Sequence, residues 1–353
     1  MNTEIFEISR LLFLFAMSFT TAFFFAPLLI KFLIRNKLGK QIRMEGAPIY
    51  NQMHQKKEGT PTMGGILIWL TVLFVALFFW AFAKLRINPF IDKFDFLSGL
   101  LGRSQTWLPL GVLVASAIVG LGDDLLGVLR IGSKGGGLSM RYRLLVYTVI
   151  ASFGAWWFYF KLEFSQIRVP FVGTYDLGIW YILLFIFIIV ATSFSVNETD
   201  GLDGLAGGVL MVAFGAYALI AFFQERYYLA AFDTVIIGAL MAFLWYNVYP
   251  AKFFMGDTGA MSLGVTLGVM AMLTDTVFLL SLFGAVLVAE SGSVILQMIS
   301  RKTRGKKIFL SSPIHHHFEA KGWPETQITM RFWIISGMTA TLGVILYFLD
   351  KFI

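Results

Sequence analysis

Seven acidic residues and a run of three histidines recur in four short segments: Asp123-Asp124, Asn197 to Gly204, Phe254 to Gly259 and Pro313 to Glu319. The acids are Asp123, Asp124, Glu198, Asp200, Asp203, Asp257 and Glu319, and the histidines are His315, His316 and His317. Carboxylate-rich, thiol-free sites suit Mg²⁺, which takes oxygen ligands and commonly uses one or two carboxylates together with substrate phosphates and waters. The chemistry this suggests is Mg²⁺-assisted phosphoryl transfer, with a further carboxylate to orient or deprotonate the attacking group. There is no Gly-x-x-x-x-Gly-Lys-Ser/Thr loop and no dinucleotide fingerprint, so ATP hydrolysis and hydride transfer have little support. The absence of cysteine excludes disulfides, thiol catalysis and thiolate metal sites.

Each segment also has a plainer explanation. Asp123-Asp124 reads as the end of a helix running through Gly120-Leu121-Gly122, where an acidic pair is disfavoured by the helix dipole. Adjacent helical residues point about 100° apart, so one metal or proton meets one of the two carboxylates. Asp200 and Asp203, three residues apart, are expected to share a helical face, and the flanking glycines let a ligand approach the backbone. A polar turn would explain those glycines but not two acids without a basic neighbour. Asp257 is expected at a helix start, where it would be a favourable cap in any case. Three consecutive histidines cannot all be ligands on one helical face, which favours phosphate contact or proton handling over a metal cage.

The elements that must position these groups are membrane helices. Of 353 residues, 58% are hydrophobic and 14% charged, and the mean hydropathy is +0.76. Runs near the roughly 20 apolar residues that a bilayer-spanning helix needs recur without a soluble-sized polar stretch, which indicates one integral all-α domain over residues 1–353. The ten expected spans are Leu11–Ile34, Gly64–Ala83, Leu108–Leu121, Leu144–Leu162, Gly178–Phe194, Leu205–Phe223, Ala230–Tyr249, Ala260–Leu273, Val277–Ile299 and Phe332–Leu349. The third and eighth are short and must borrow neighbouring residues or adjoin a broken, site-lining segment. The first run, with Glu4 and Glu7 before it and no small-residue cleavage site, reads as a retained helix.

Lys and Arg concentrate in alternate gaps, among them Arg35, Lys37, Lys40, Arg43, Lys56, Lys57, Arg130, Lys134, Arg141, Arg143, Arg301, Lys302, Arg304, Lys306 and Lys307. The positive-inside rule makes these gaps cytoplasmic and both termini periplasmic. The acids and histidines fall in the same gaps, so the active site is expected at the cytoplasmic face. The +7 net charge follows in part from topology, and nucleic-acid binding explains it poorly because the basic residues border spans. The remaining excess is suited to anionic lipid or phosphate substrates.

Five strings resemble one family in its order: Gly59-Thr60-Pro61-Thr62-Met63-Gly64-Gly65, Asp123-Asp124, Asn197-x-x-Asp200-Gly-Leu-Asp203-Gly-Leu-Ala, Phe254-Met-Gly-Asp257-Thr-Gly, and Pro313-Ile-His-His-His317-Phe-Glu319. They look like the phospho-N-acetylmuramoyl-pentapeptide transferase (MraY) family of the polyprenyl-phosphate N-acetylhexosamine-1-phosphate transferase superfamily, over roughly residues 40 to 335. The histidine segment with Gly322-Trp323-Pro324-Glu325 favours this family over relatives that load other N-acetylhexosamine phosphates.

The resemblance implies an enzyme of the bacterial inner membrane. It would transfer phospho-MurNAc-pentapeptide from UDP-MurNAc-pentapeptide to undecaprenyl phosphate, giving lipid I and UMP in peptidoglycan synthesis, with Mg²⁺ as cofactor and a homodimer as the assembly. It also implies that Asp257 is the Mg²⁺ ligand, that Asp123, Asp124 and Asp200 are essential carboxylates around it, and that His315 is catalytically sensitive. Asp203, Gly201, Leu202 and Phe254 match the family's uridine pocket. Asn197 and Asn247 match cleft-lining residues, His316 and His317 match substrate contacts, and Lys57, or Lys56 in another register, matches the basic residue near the nucleoside.

Three positions depart from the family pattern: Gly127 and Gly136 stand where relatives often have Lys, and Phe194 where they often have Asn. Lys134 or Arg130 is available to compensate, and Arg141 keeps a basic group after Gly137-Leu138-Ser139. The expected result is altered diphosphate affinity without a changed reaction. Two mechanisms remain open: Asp123 or Asp124 deprotonates the lipid phosphate for direct attack, or an aspartate forms a covalent intermediate. A GlcNAc-1-phosphate transferase is the alternative within the superfamily. A transporter is the alternative outside it, for which Glu290 in the ninth span is the best candidate, against a simpler packing role beside Ser291 and Ser293.

Overall fold

The structure is a computed structural model that describes residues 2–39, 57–84, 104–132 and 136–352. Lys40, Arg43, Lys56 and Lys134 lie outside the described residues.

Apolar runs in lipid must satisfy their backbone groups internally, and the described chain does so with helices. In order, α1 (Asn2–Arg35), α2 (Gly65–Lys84), α3 (Ser104–Val128) and α4 (Met140–Phe160) are followed by a hairpin of β1 (Gln166–Val169) and β2 (Gly173–Asp176). Then come α5 (Trp180–Thr199), α6 (Leu205–Phe223), α7 (Tyr227–Asn247) and α8 (Gly256–Leu273). A 3-10 turn (Val277–Leu279) leads into α9 (Leu280–Phe283), α10 (Ala285–Arg304), α11 (Ile314–Ala320) and α12 (Glu325–Phe352). Among the described residues, 8 helices are long and apolar enough to cross a membrane, and up to 9 if the pair Val277–Phe283 and Ala285–Arg304, bent by 87°, is one span. The stretch Gly65–Ala81 is a shorter apolar helix. Nine of the ten expected spans each fall on one helix and the ninth is divided between a 3-10 turn, α9 and α10, so that the chain is a multi-pass, overwhelmingly helical membrane protein.

Several expectations need correction. The antiparallel hairpin, with Ile167 opposite Tyr175, departs from an all-α fold. It is fastened to the end of the chain: Arg168 Nε lies 2.6 Å from Asp350 Oδ2, and the Phe171 N–H donates to Asp350 Oδ1 at 2.6 Å. The third span does borrow its neighbours, running to Val128, so Asp123-Asp124 lies inside α3 and not at its end. The ninth span is broken at Gly284. The last helix starts at Glu325, well before Phe332, which carries its first turn into the polar region.

Helix α8 is the centre, with 89% of its span buried against 28% for α1 and α12. Large apolar side chains such as Phe24, Phe187, Trp245 and Met338 point outward, as a lipid-facing surface requires. Small residues let neighbouring helices reach α8 closely. A Cβ at Gly120 would stand 2.4 Å from the Asp257 carbonyl oxygen, and one at Gly264 would stand 2.7 Å from Ser193 Cα. The first of these contacts brings the C-terminal part of α3 against the start of α8. Helix α10 is polar on its buried side, with Glu290, Ser291, Ser293, Gln297 and Ser300, and apolar on its exposed side, with Val288, Ile295, Leu296, Met298 and Ile299.

Candidate active site

The first N–H groups of a helix have no intrahelical acceptor and carry the positive end of its dipole. At α8 two carboxylates meet that need. Asp124 Oδ1 accepts from the Asp257 N–H and Oδ2 from the Thr258 N–H, each at 3.0 Å, and Asp200 Oδ2 accepts from the Gly256 N–H at 3.1 Å. Gly256 has φ +72, and a Cβ there would lie 2.6 Å from Asp124 Oδ2, so glycine satisfies both the backbone shape and the approach. Three segments distant in sequence, the C-terminal part of α3, the end of α5 and the start of α8, are thereby joined. Asp257 is at a helix start as expected, and its own carboxylate faces away from the helix backbone into the cluster.

Arg143, in the first turn of α4, spans that cluster. Its Nη2 donates to Asp257 Oδ2 at 2.8 Å and its Nη1 to Asn197 Oδ1 at 3.0 Å. Asn197 Nδ2 in turn donates to Asp257 Oδ1 at 2.5 Å. Arg143 Nε and Asp123 Oδ2 stand 2.8 Å apart, yet the angle makes no hydrogen bond. The contact is an ion pair, and this Asp123 oxygen accepts no well-aligned hydrogen bond among the described residues. The Leu138 N–H donates to Asp123 Oδ1 at 2.6 Å. Asp123 and Asp124 thus face different partners, as residues 100° apart must.

Among the described residues no three His, Asp or Glu side chains converge as a closed metal cage. The oxygen set still fits Mg²⁺, because that ion needs only one or two protein carboxylates and fills its octahedron with water and phosphate. Asp257 and the incompletely hydrogen-bonded Asp123 are the residues that would hold it.

A second cluster lies beside the first. Asp200 and Asp203 do not share a helical face: Asp200 caps α5, and Asp203 sits in the turn before α6. Asp203 turns instead to Lys57, whose Nζ is 2.6 Å from its Oδ1 and 2.5 Å from Glu325 Oε1. The Asp203 N–H donates to the same Glu325 oxygen at 2.6 Å, and the Ala251 N–H donates to Asp203 Oδ2 at 2.9 Å. Lys57 also stands 5.8 Å from the centre of the Phe254 ring. Asn247 braces this corner, accepting from the Gly204 N–H at 3.0 Å and donating to the Phe253 carbonyl at 2.8 Å. Leu202 is buried beneath the turn.

The three histidines have three partners. His315, fully buried, has Nδ1 2.9 Å from Glu290 Oε2, and its ring lies on Gly201, where a Cβ would come within 2.3 Å of Nε2. His316 Nδ1 pairs with Glu319 Oε2 at 2.6 Å. His317 Nδ1 accepts from the Leu310 N–H at 3.1 Å, and burial and Lys321 hold its pKa below the usual histidine value.

The structure brings Asp123, Asp124, Asp200, Asn197 and Asp257 together, sets Lys57, Asp203, Asn247 and Phe254 in the second cluster, and lays His315 on Gly201, whereas His316 and His317 contact partners within their own segment and the loop before it. Arg143, Glu290 and Glu325 were missed as participants. Arg143 contributes to topology as a loop charge, and Glu290 fits a packing role equally well. Glu325 had a local signal, an acid following Pro324 at a helix start.

Known proteins carry the same pattern. The model described as Glycosyl transferase family 4 matches residues 106–275, and Phospho-N-acetylmuramoyl-pentapeptide-transferase signature 1 matches residues 57–68, which include Lys57. The phospho-N-acetylmuramoyl-pentapeptide-transferase of Bacillus pumilus (strain SAFR-032) is 40% identical over 338 residues, covering 95% of this chain and 97% of the relative. The chain belongs to the phospho-N-acetylmuramoyl-pentapeptide-transferase family. The family's Bacillus subtilis (strain 168) member is 39% identical over 338 residues, again covering 95% and 97%. Its member from Chloroflexus aurantiacus (strain ATCC 29366 / DSM 635 / J-10-fl) is 38% identical over 351 residues, covering 96% of this chain and 89% of the relative. Membership makes the protein an enzyme, a transferase with a helical membrane frame.

Proposed function

We propose that the enzyme transfers phospho-MurNAc-pentapeptide from UDP-MurNAc-pentapeptide to undecaprenyl phosphate, giving lipid I and UMP, with Mg²⁺ as cofactor. The observation that carries this reading is the meeting of Asp123, Asp124, Asp200 and Asp257 at the start of α8, with Arg143 among them. That arrangement suits a diphosphate donor: Mg²⁺, when bound, neutralises phosphate charge, and Arg143 supplies a planar donor array to the same region. The acceptor's phosphate oxygen forms a bond to the donor's β-phosphorus as the bond from that phosphorus to the bridging oxygen breaks, and UMP leaves with the oxygen. Asp123 is the better placed base of the acidic pair, because both oxygens of Asp124 are held by α8 backbone N–H groups. Lys57, Asp203 and Phe254 form the corner suited to the uridine, with a ring face, a carboxylate acceptor and an ammonium donor.

The reading places the site at the cytoplasmic face of the bacterial inner membrane, with both termini periplasmic and the enzyme a homodimer. It is supported by the basic residues Lys37, Arg130, Arg301 and Lys302, which lie in the gaps that carry the site. The transporter alternative loses its main residue, since Glu290 is engaged with His315.

The test is a donor assay with purified enzyme, undecaprenyl phosphate and Mg²⁺, comparing UDP-MurNAc-pentapeptide with UDP-GlcNAc. Lipid-linked product from the first donor, lost in Asp257→Ala and on chelation, is the expected result. Product from UDP-GlcNAc alone would overturn the substrate assignment.

A further inference from the structure

Helix α10 offers the protein a polar face, and that face holds the loop before α11, helix α5 and, at one point, the histidine segment. Gln297 donates through Nε2 to the Phe309 carbonyl at 2.9 Å and accepts through Oε1 from the Ile308 and Phe309 N–H groups at 2.9 and 3.1 Å. Ser291 meets Ser195 of α5 at 2.8 Å. Glu290 makes the innermost of these contacts, its Oε2 lying 2.9 Å from His315 Nδ1 with both side chains fully buried.

A carboxylate has only lone pairs to offer, so the proton of a neutral His315 belongs on Nδ1 in this pair. Nε2 is then left as the nitrogen that meets something else. It is buried and, among the described residues, without a hydrogen-bond partner. It lies over Gly201, beside the Asp200 that contacts the start of α8, where the missing Cβ gives it room. A buried, unsatisfied ring nitrogen is costly unless a ligand uses it.

We propose that Glu290 is the positioning residue of His315: it fixes the ring's orientation and its Nδ1–H tautomer, so that Nε2 is the atom presented to the phosphate-bearing substrate at Gly201. The assignment rests on the transfer reaction above and adds to it a residue in the broken ninth span. In the neutral ring Nε2 accepts a hydrogen bond.

The experiment uses full-length enzyme labelled with ¹⁵N-histidine, a practical choice because the chain has only 4 histidines. Ring nitrogen shifts report the His315 tautomer, assigned by loss of its signal in His315→Asn. Glu290→Gln still accepts the Nδ1 proton and is expected to keep the tautomer, with kcat down by roughly tenfold. Glu290→Ala is expected to lose the tautomer, with kcat down by roughly 100-fold and the donor KM within about threefold of wild type. An unchanged tautomer in Glu290→Ala, or a kcat within about twofold of wild type, overturns the proposal. If Glu290→Ala does not fold, Glu290→Gln and Glu290→Asp decide, because a purely packing role predicts no kcat change in the near-isosteric Gln variant. If wild-type enzyme transfers nothing, the reaction assignment fails, while the tautomer measurement still reports whether Glu290 sets His315.

Discussion

Gly136 lies against Gly127: a Cβ built on Gly136 would stand 2.8 Å from the Gly127 carbonyl oxygen. Two of the three departures from the expected family pattern are therefore one local feature, although they differ in tolerance. Gly127 is helical with open space around an added Cβ, whereas Gly136 has φ +126. Gly127→Lys should fold at least as stably as wild type, since lysine is the better helix former by about 0.5–1 kcal/mol, and should tighten donor binding. Gly136→Lys should lose about 1–3 kcal/mol through backbone strain and contact. Thermal unfolding and donor titration check both, and an unchanged donor affinity in Gly127→Lys would remove the link between this glycine and the diphosphate.

Arg143 is the counter-ion of Asp123 and Asp257, each 2.8 Å away, and all three side chains are largely buried. Arg143→Met would leave two carboxylates facing one another, a loss of about 3 kcal/mol for a broken buried pair. Added Mg²⁺ should raise the variant's melting temperature more than the wild type's, because a cation then replaces the guanidinium. Equal shifts in differential scanning fluorimetry would count against a shared site for Arg143 and Mg²⁺.

Lys57 is held between Asp203 and Glu325. A charged hydrogen bond from its ammonium to the donor contributes about 2 kcal/mol, so Lys57→Met should raise the donor KM by roughly 30-fold with a smaller change in kcat. Steady-state kinetics distinguishes this from a catalytic role, which would lower kcat instead.

His317 accepts the Leu310 N–H through its neutral ring, and its folded-state pKa lies below the ordinary 6.5. The stabilisation is complete above about pH 6.5 and is lost as the pH falls through the folded-state value, because the unfolded chain then binds the proton more readily. The protection factor of the Leu310 amide, its exchange corrected for the intrinsic base-catalysed rate, should fall between pH 7.5 and pH 5. The pH dependence should vanish in His317→Gln.

The helical frame was legible because lipid imposes length and apolarity on every span, and each expected span meets a helix. The aspartates were legible because acids without basic neighbours are conspicuous in such a chain. What stayed hidden depends on pairing across the fold. Arg143 is one of many loop cations until α4 is set beside α3 and α8. Glu290 reads as a packing residue until the bend at Gly284 brings α10 beside α11. Asp200 and Asp203 part company because the helix ends between them, which the three-residue spacing could not reveal. The β1–β2 hairpin was missed because four-residue strands between two spans leave little pattern.

The reversed polarity of α10 bears on how the chain is assembled. A segment carrying an acidic side chain on one face is a poor candidate for entering the bilayer alone, at about 2.5–3.5 kcal/mol for a charged group at mid-membrane on insertion scales. Its partners Ser195 and His315 come from α5, made earlier, and α11, made later. During synthesis Ser195 is already in place when α10 emerges, but His315 is not. The pairing of Glu290 with His315 therefore ties the broken ninth span to a segment that follows it in the chain, so this part of the pocket is complete only once α11 has been made.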